Sequence, residues 1–141
     1  MKESADQLQP GINPAQFKHA DGEKIPFDDN QFDAVLSSAV LHFARDKAHF
    51  DAMLQELVRV LAPGGLLLIR TAWQPANEVT VQPLGNDHFL HPDGMDYFIA
   101  PYSVDDFCAK LNELGITLTE SAKVTQVHRL RAMSTFVGMK E

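Results

Sequence analysis

Six histidines, a pair of adjacent serines and scattered carboxylates are the groups in this sequence with chemistry to offer. His42 follows Ser37-Ser38 at the end of an apolar run, and an imidazole is the side chain best placed to take a proton near neutral pH. The plainer alternative is a partly buried packing histidine. His88 and His91, flanked by Asp87 and Asp93, are of the types that bind zinc and other divalent ions. They lack a second pair of ligands at a defined spacing, so no metal site is assigned. Trp73, Phe89, Tyr97, Phe98 and Tyr102 either line a pocket for an aromatic, quinone-like molecule or pack a long connection down. Cys108 is the only cysteine. It excludes an internal disulfide framework and a multi-cysteine zinc site, has no neighbouring cation to activate it, and suits a reducing, cytoplasmic compartment.

These groups need elements to hold them. Phe32-Asp33-Ala34-Val35-Leu36 is a compact apolar run between turn signals, as in a buried parallel strand. From Asp46, a plausible N-cap, Phe50, Met53, Leu54, Leu57, Val58 and Leu61 recur at offsets of three and four and predict one apolar helix face. Arg59 on that helix is expected to pair with Glu56 or Asp51. Pro63-Gly64-Gly65 should end the helix, and Leu66 to Ile69 reads as the next buried strand. Residues 72–102, with four prolines and no clean period, are expected to form a long connection. Ser103 and Asp106 resemble a capping box opening a helix through Leu111 and Leu114, with Gly115 just past its end. Ile116–Leu118, Val124–Val127 and Met133–Met139 suggest a closing antiparallel arrangement. Upstream, 2–9 is helix-compatible, Phe17–Ala20 is a candidate short strand, and the Asp28-Asp29-Asn30 cluster is a solvated turn.

Composition narrows the function classes. A chain of 141 residues with 45% hydrophobic content fits a single α/β domain with one core. Its 12 basic against 19 acidic residues leave a formal charge of -7, the wrong sign for nucleic acid or anionic lipid. No apolar run is long enough for a membrane span or a signal peptide.

Three linked stretches carry a family resemblance: Ala20-Asp21-Gly22-Glu23-Lys24-Ile25-Pro26-Phe27, then Phe32 to Ser38, then Glu56-Leu57-Val58-Arg59-Val60-Leu61-Ala62-Pro63-Gly64-Gly65. Their order and spacing is similar to the class I S-adenosylmethionine-dependent methyltransferases of the ubiquinone/menaquinone-biosynthesis type (methyltransferase type 11). The resemblance implies a Rossmann-like sheet of order 3-2-1-4-5-7-6, of which this chain would hold a part: the fourth and fifth strands and a C-terminal antiparallel pair, missing the first two strands. One domain, 1–141, would divide into a remnant of the cofactor-binding half (1–71) and a loop, helix and hairpin (72–141).

No G-x-G-x-x-G is present in these residues, so the resemblance assigns them only the adenine side of S-adenosyl-L-methionine, at Asp21 and Gly22. Ser37 and Ser38 would lie beside the cofactor. His42 is the candidate base for a small-molecule methyl acceptor, in a reaction that proximity and orientation largely accelerate. An uncovered fourth-strand edge implies a homo-oligomer, through edge pairing or exchange of the N-terminal segment. Two other readings stay open: an inactive, self-associating or regulatory remnant, and a protein binding a small ligand or metal through residues 73–102.

Overall fold

The computed structural model describes residues 7, 10–74, 81–128 and 130–141. Its centre is a mixed sheet in which β1 (Phe32–Ser38) pairs in parallel with β2 (Leu61–Trp73), and β2 pairs antiparallel with β8 (Arg131–Lys140). β6 (Ile116–Leu118) and β7 (Lys123–Val127) both pair with β8, so the strand order is β1-β2-β8-β6, with β7 beside the first part of β8. This is the 4-5-7-6 portion of the order expected from the resemblance. Among the described residues, β1 pairs only with β2.

Helix α1 (Lys47–Val60) starts where expected, because Asp46 accepts the His49 N–H at 2.8 Å. Its stripe of Phe50, Met53, Leu54 and Val58 is buried against one face of the sheet, with Leu67, Ile69 and Phe136. Each such side chain contributes about 1.5–3 kcal/mol on full burial. The helix end is closed from far along the chain: the Lys140 ammonium donates to the Val58 and Leu61 carbonyls at 2.8 Å each, where a cation favours the helix C-terminus. Helix α2 (Val104–Glu113) opens on Ser103, which accepts the Asp106 N–H at 3.0 Å, and ends before Gly115 at φ 81°. Phe107 and Leu111 carry it into the same core.

Several expectations are corrected. β2 begins at Leu61 rather than Leu66; Pro63-Gly64-Gly65 forms an irregularity within the strand instead of separating helix from strand, with register jumping from Phe32↔Leu61 to Ala34↔Leu66. Gly65 allows it: a Cβ there would lie 2.8 Å from the Ala62 carbonyl oxygen and 3.0 Å from that of Asp33. Phe17–Ala20 forms no strand, because no neighbouring strand pairs with its backbone. The helix expected over 2–9 lies outside the described residues except for Gln7.

The connection over 72–102 is not structureless. Apart from 75–80, which lie outside the described residues, it folds into a second sheet of β3 (Gln82–Gly85), β4 (His88–Leu90) and β5 (Asp96–Phe98) in antiparallel order. Asn86 and Asp87, with φ of 53° and 62°, make the tight two-residue turn that matches strand twist.

Candidate site at the carboxyl ends of the strands

Parallel β1 and β2 end at Ser38 and Trp73, and β8 begins at Arg131 beside the end of β2. In an open α/β sheet ligands bind beyond these carboxyl ends. Just after β1, Ala39 adopts φ 59°, a left-handed conformation that is uncommon for a residue with a Cβ. Its N–H donates to the Arg70 carbonyl at 2.8 Å, which fixes the turn. Leu36, Val40 and Phe43 beside it are exposed, at 71%, 46% and 52%.

The turn delivers His42 to a buried position, 2% exposed. Its Nδ1 accepts the Ala72 N–H at 2.9 Å, so the neutral ring carries its proton on Nε2 and presents a donor. Burial, with Arg131, His91 and Arg70 nearby, lowers its pKa to about 4. The ring stacks edge-on against Tyr97 at 4.6 Å, and Tyr97 meets His91 at 4.8 Å.

Around these rings lies a polar cluster drawn from distant parts of the chain. Asp93 accepts the Tyr97 hydroxyl and the Arg131 guanidinium at 2.9 Å each, and the Met95 N–H at 3.0 Å. Burial pushes the Asp93 carboxyl upward, but these three donors outweigh it and hold the group below its ordinary value. His91 Nε2 and Arg131 Nε are buried with no hydrogen-bond partner. On the helix-facing side, the hydroxyls of Ser37, Thr71 and Ser134 are also buried without partners, across three neighbouring strands in which Thr71 stands opposite Ser134. Buried polar atoms in this state are uncommon.

The residues singled out in the sequence are thus distributed unevenly. Ser37, Ser38 and His42 follow one another at the end of β1, but Ser37 points to the helix-facing side and Ser38 to the opposite face. Asp21 and Gly22 sit in the loop over α1; Asp21 is exposed, and a Cβ at Gly22 would lie 2.7 Å from Met53 Cε, so this glycine's bare face is turned to the helix. That loop is held chiefly by Arg59, with a further ion pair from Arg45 to Glu23 at 3.1 Å. Arg59 binds Glu56 at 2.6 Å, Asp29 at 2.6 Å, and the carbonyls of Phe27 and Ile25 at 2.9 Å each, while Glu56 accepts the Ile25 N–H at 2.8 Å. The hydrogen bond from Arg59 holds the Glu56 carboxyl below its usual range. Substituting Glu56→Gln is expected to raise amide exchange at Ile25 and proteolysis within 21–30 severalfold, with the core amides of α1 unchanged; equal rates in both proteins would contradict this clamp.

The aromatic set divides. Trp73, Phe98 and Tyr102 pack against Phe50, Phe107 or Phe136 in the core, and Tyr97 alone of them joins the polar cluster. His88 and His91 also part: His88 faces Asp96 at 2.9 Å and the Arg45 carbonyl at 3.0 Å. The bond to the Arg45 carbonyl, helped by Asp96, raises the pKa of His88. No group of three or more metal-ligating side chains is gathered among the described residues. A depression of about 610 Å³ lined by Asn13, Lys18, Phe27 and Phe32 lies at the amino end of β1, the opposite end from this site. No helix among the described residues is long and apolar enough to cross a membrane. Cys108 is half-buried, with burial pushing its thiol pKa up.

Comparison with known proteins finds similarity in both sequence and fold. Residues 1–69 match the Methyltransferase domain family. A 64-residue stretch is 44% identical to the ubiquinone/menaquinone biosynthesis C-methyltransferase UbiE of Pseudomonas putida, covering 45% of this chain and 24% of that protein. The chain therefore spans about a quarter of the length of such curated relatives. Among solved structures, a SAM-dependent methyltransferase from Methanosarcina mazei superposes with a TM-score of 0.71 at 18% identity, over 98% of this chain and 74% of that one. The cyclase SpnF superposes with a TM-score of 0.70 at 15% identity, over 99% and 61%. At such identities the likeness is one of fold, and a cyclase among the neighbours illustrates that this fold does not by itself fix the reaction.

Proposed function

We propose that this chain, which carries the sequence and fold of class I S-adenosylmethionine-dependent methyltransferases, builds part of the active site of a small-molecule methyltransferase. The observation that carries this reading is the carboxyl end of β1: a left-handed non-glycine turn at Ala39, an exposed apolar strip, and a buried His42 with a donor to offer. When bound, S-adenosyl-L-methionine supplies the electrophilic methyl group.

The residues present fit one side of that cofactor. The exposed Asp21 carboxylate is free to accept from an adenine amino group. Ser38, exposed at the strand end, is the serine on offer to the cofactor, since the Ser37 hydroxyl is buried without a partner on the helix-facing side. Gly22 supports the reading less directly, since its Cβ position faces Met53. His42 is best suited to hold an acceptor oxygen through Nε2–H, because its Nδ1 lone pair is already engaged by Ala72. Catalysis would then rest on alignment of donor and acceptor.

Titration of the isotopically labelled chain with S-adenosylhomocysteine tests this. Saturable NMR shifts at Asp21, Gly22 and Ser37–Phe43 are expected. Unchanged amides at those positions up to millimolar ligand would overturn the assignment.

Self-association is part of the same reading. The outer edge of β1 is unpaired among the described residues and Leu36 is exposed, a combination that favours pairing with another strand. Sedimentation is expected to show dimers that Leu36→Lys converts to monomers; a well-folded wild-type monomer would refute it. The single, half-buried Cys108 is consistent with a cytoplasmic setting.

A further inference from the structure

Arg70 is the unexplained charge at the carboxyl end of the sheet. It lies on β2 between core residues Ile69 and Thr71, so alternation turns it to the face away from the helices. It is half-buried, stands opposite Ser38 of β1 and Thr135 of β8 in the pairing, and is close enough to His42 for its charge to act on the ring. Among the described residues no carboxylate pairs with it. The other cation of this region, Arg131, is matched by Asp93. The site thus has two guanidinium groups against one carboxylate, in a chain whose overall charge is -7. Arg70 is thus, among the described residues, a guanidinium without a carboxylate partner, free to donate to an anion.

The residues around His42 carry further groups that a ligand could meet. The exposed Phe43 ring, 4.7 Å from His42 and 5.9 Å from Tyr97, offers an aromatic face. His91 Nε2 and Arg131 Nε are buried and unsatisfied in the adjoining cluster. We propose that the methyl acceptor carries an acid group, an aromatic or similarly planar carboxylate, whose anionic oxygens are bound by Arg70 while its apolar body rests on Phe43. A guanidinium fork suits a carboxylate because it donates two parallel hydrogen bonds. This rests on the methyltransferase reading only for the word acceptor; the anion site itself stands on the residues named.

The experiment compares 4-hydroxybenzoate with its neutral methyl ester in NMR titrations of the labelled chain. The carboxylate is expected to give saturable shifts at Ser38, His42, Phe43 and Arg70, with the ester binding at least about tenfold more weakly, as for loss of a charge-assisted hydrogen bond. Arg70→Met should erase the difference between the two probes, and Arg70→Lys should retain part of it; unperturbed spectra away from the site show that both variants fold. Equal affinity for acid and ester, or full carboxylate binding by Arg70→Met, would overturn the proposal. S-adenosylhomocysteine titrated in parallel separates the two readings. Carboxylate binding without nucleoside binding would leave the anion site and remove its role in methyl transfer, and the reverse would remove only the anion site.

Discussion

Between pH 6.5 and pH 4 the folded chain is expected to lose about 3 kcal/mol of stability through His42 alone. The sign follows from where the proton binds. In the unfolded chain His42 takes up a proton as pH falls through 6.5, whereas in the folded chain burial and then the neighbouring cations defer this to about 4. Over that interval the unfolded state binds more protons, so acid favours unfolding; below it both states are protonated and the slope vanishes. His88, Glu56 and Asp93 act with other signs or over other ranges. His88 is shifted upward, so its contribution is complete below its unfolded value and is lost as pH rises through the folded one. Glu56 and Asp93 are shifted downward, and theirs disappears only as pH falls through their depressed folded values. Asn in place of His42 keeps an oxygen acceptor near the position of Nδ1 for the Ala72 N–H and removes the titration. Urea unfolding followed from pH 7 to pH 4 should therefore show a steep loss in the wild type and a much flatter one in His42→Asn. Parallel curves would disprove it.

Why His42 is so placed was only half legible in the sequence. Its position after an apolar run identified the strand end, and the period of three and four from Phe50 to Leu61 identified the helix that follows. The caps at Asp46, Ser103 and Gly115 were readable because each acts within one helical turn. The residues that bury and polarise His42 come from elsewhere: Ala72 lies 30 positions on, while Asp93 and Arg131 are themselves 38 apart. No local spacing records such meetings. The Ala39 turn was equally hidden, because alanine gives no warning of a positive φ.

The second sheet was hidden for another reason. Its strands are three or four residues long, too short to establish alternation, and four prolines over 72–102 mask the pattern. The Gly85-Asn86-Asp87 turn was the one signal for it. The Pro63-Gly64-Gly65 motif misled in the opposite direction: read as a stop, it is accommodated as a strand irregularity because Gly65 lets the Ala62 and Asp33 carbonyl oxygens approach it closely.

Phe107 joins both helices to the sheet, and Phe107→Ala is expected to cost about 3–5 kcal/mol, the range for an aromatic removed from a core that cannot collapse. The ring is fully buried and lies 4.7 Å from Phe136, 5.6 Å from Trp73, 5.8 Å from Tyr102 and 5.9 Å from Phe50. One side chain thus fastens α2 to α1, β2 and β8 together, and four large neighbours with fixed backbones can fill its space only in part. Phe107→Leu, which leaves a smaller void, should lose less than half as much. Urea unfolding at pH 7 measures both, and a loss below about 1 kcal/mol for the alanine variant would mean that the helix packs less tightly than these distances require. The effect should also reach the strand ends. Trp73 rests on Phe107 and follows Ala72, whose N–H holds His42, so loosening Trp73 admits water to the imidazole. The His42 pKa should then rise from about 4 toward its ordinary 6.5, and the acid sensitivity of Phe107→Ala should be shallower than that of the wild type even though its stability at pH 7 is lower. A purely additive loss, with the pH slope unchanged, would show that α2 supports the core without tuning the site.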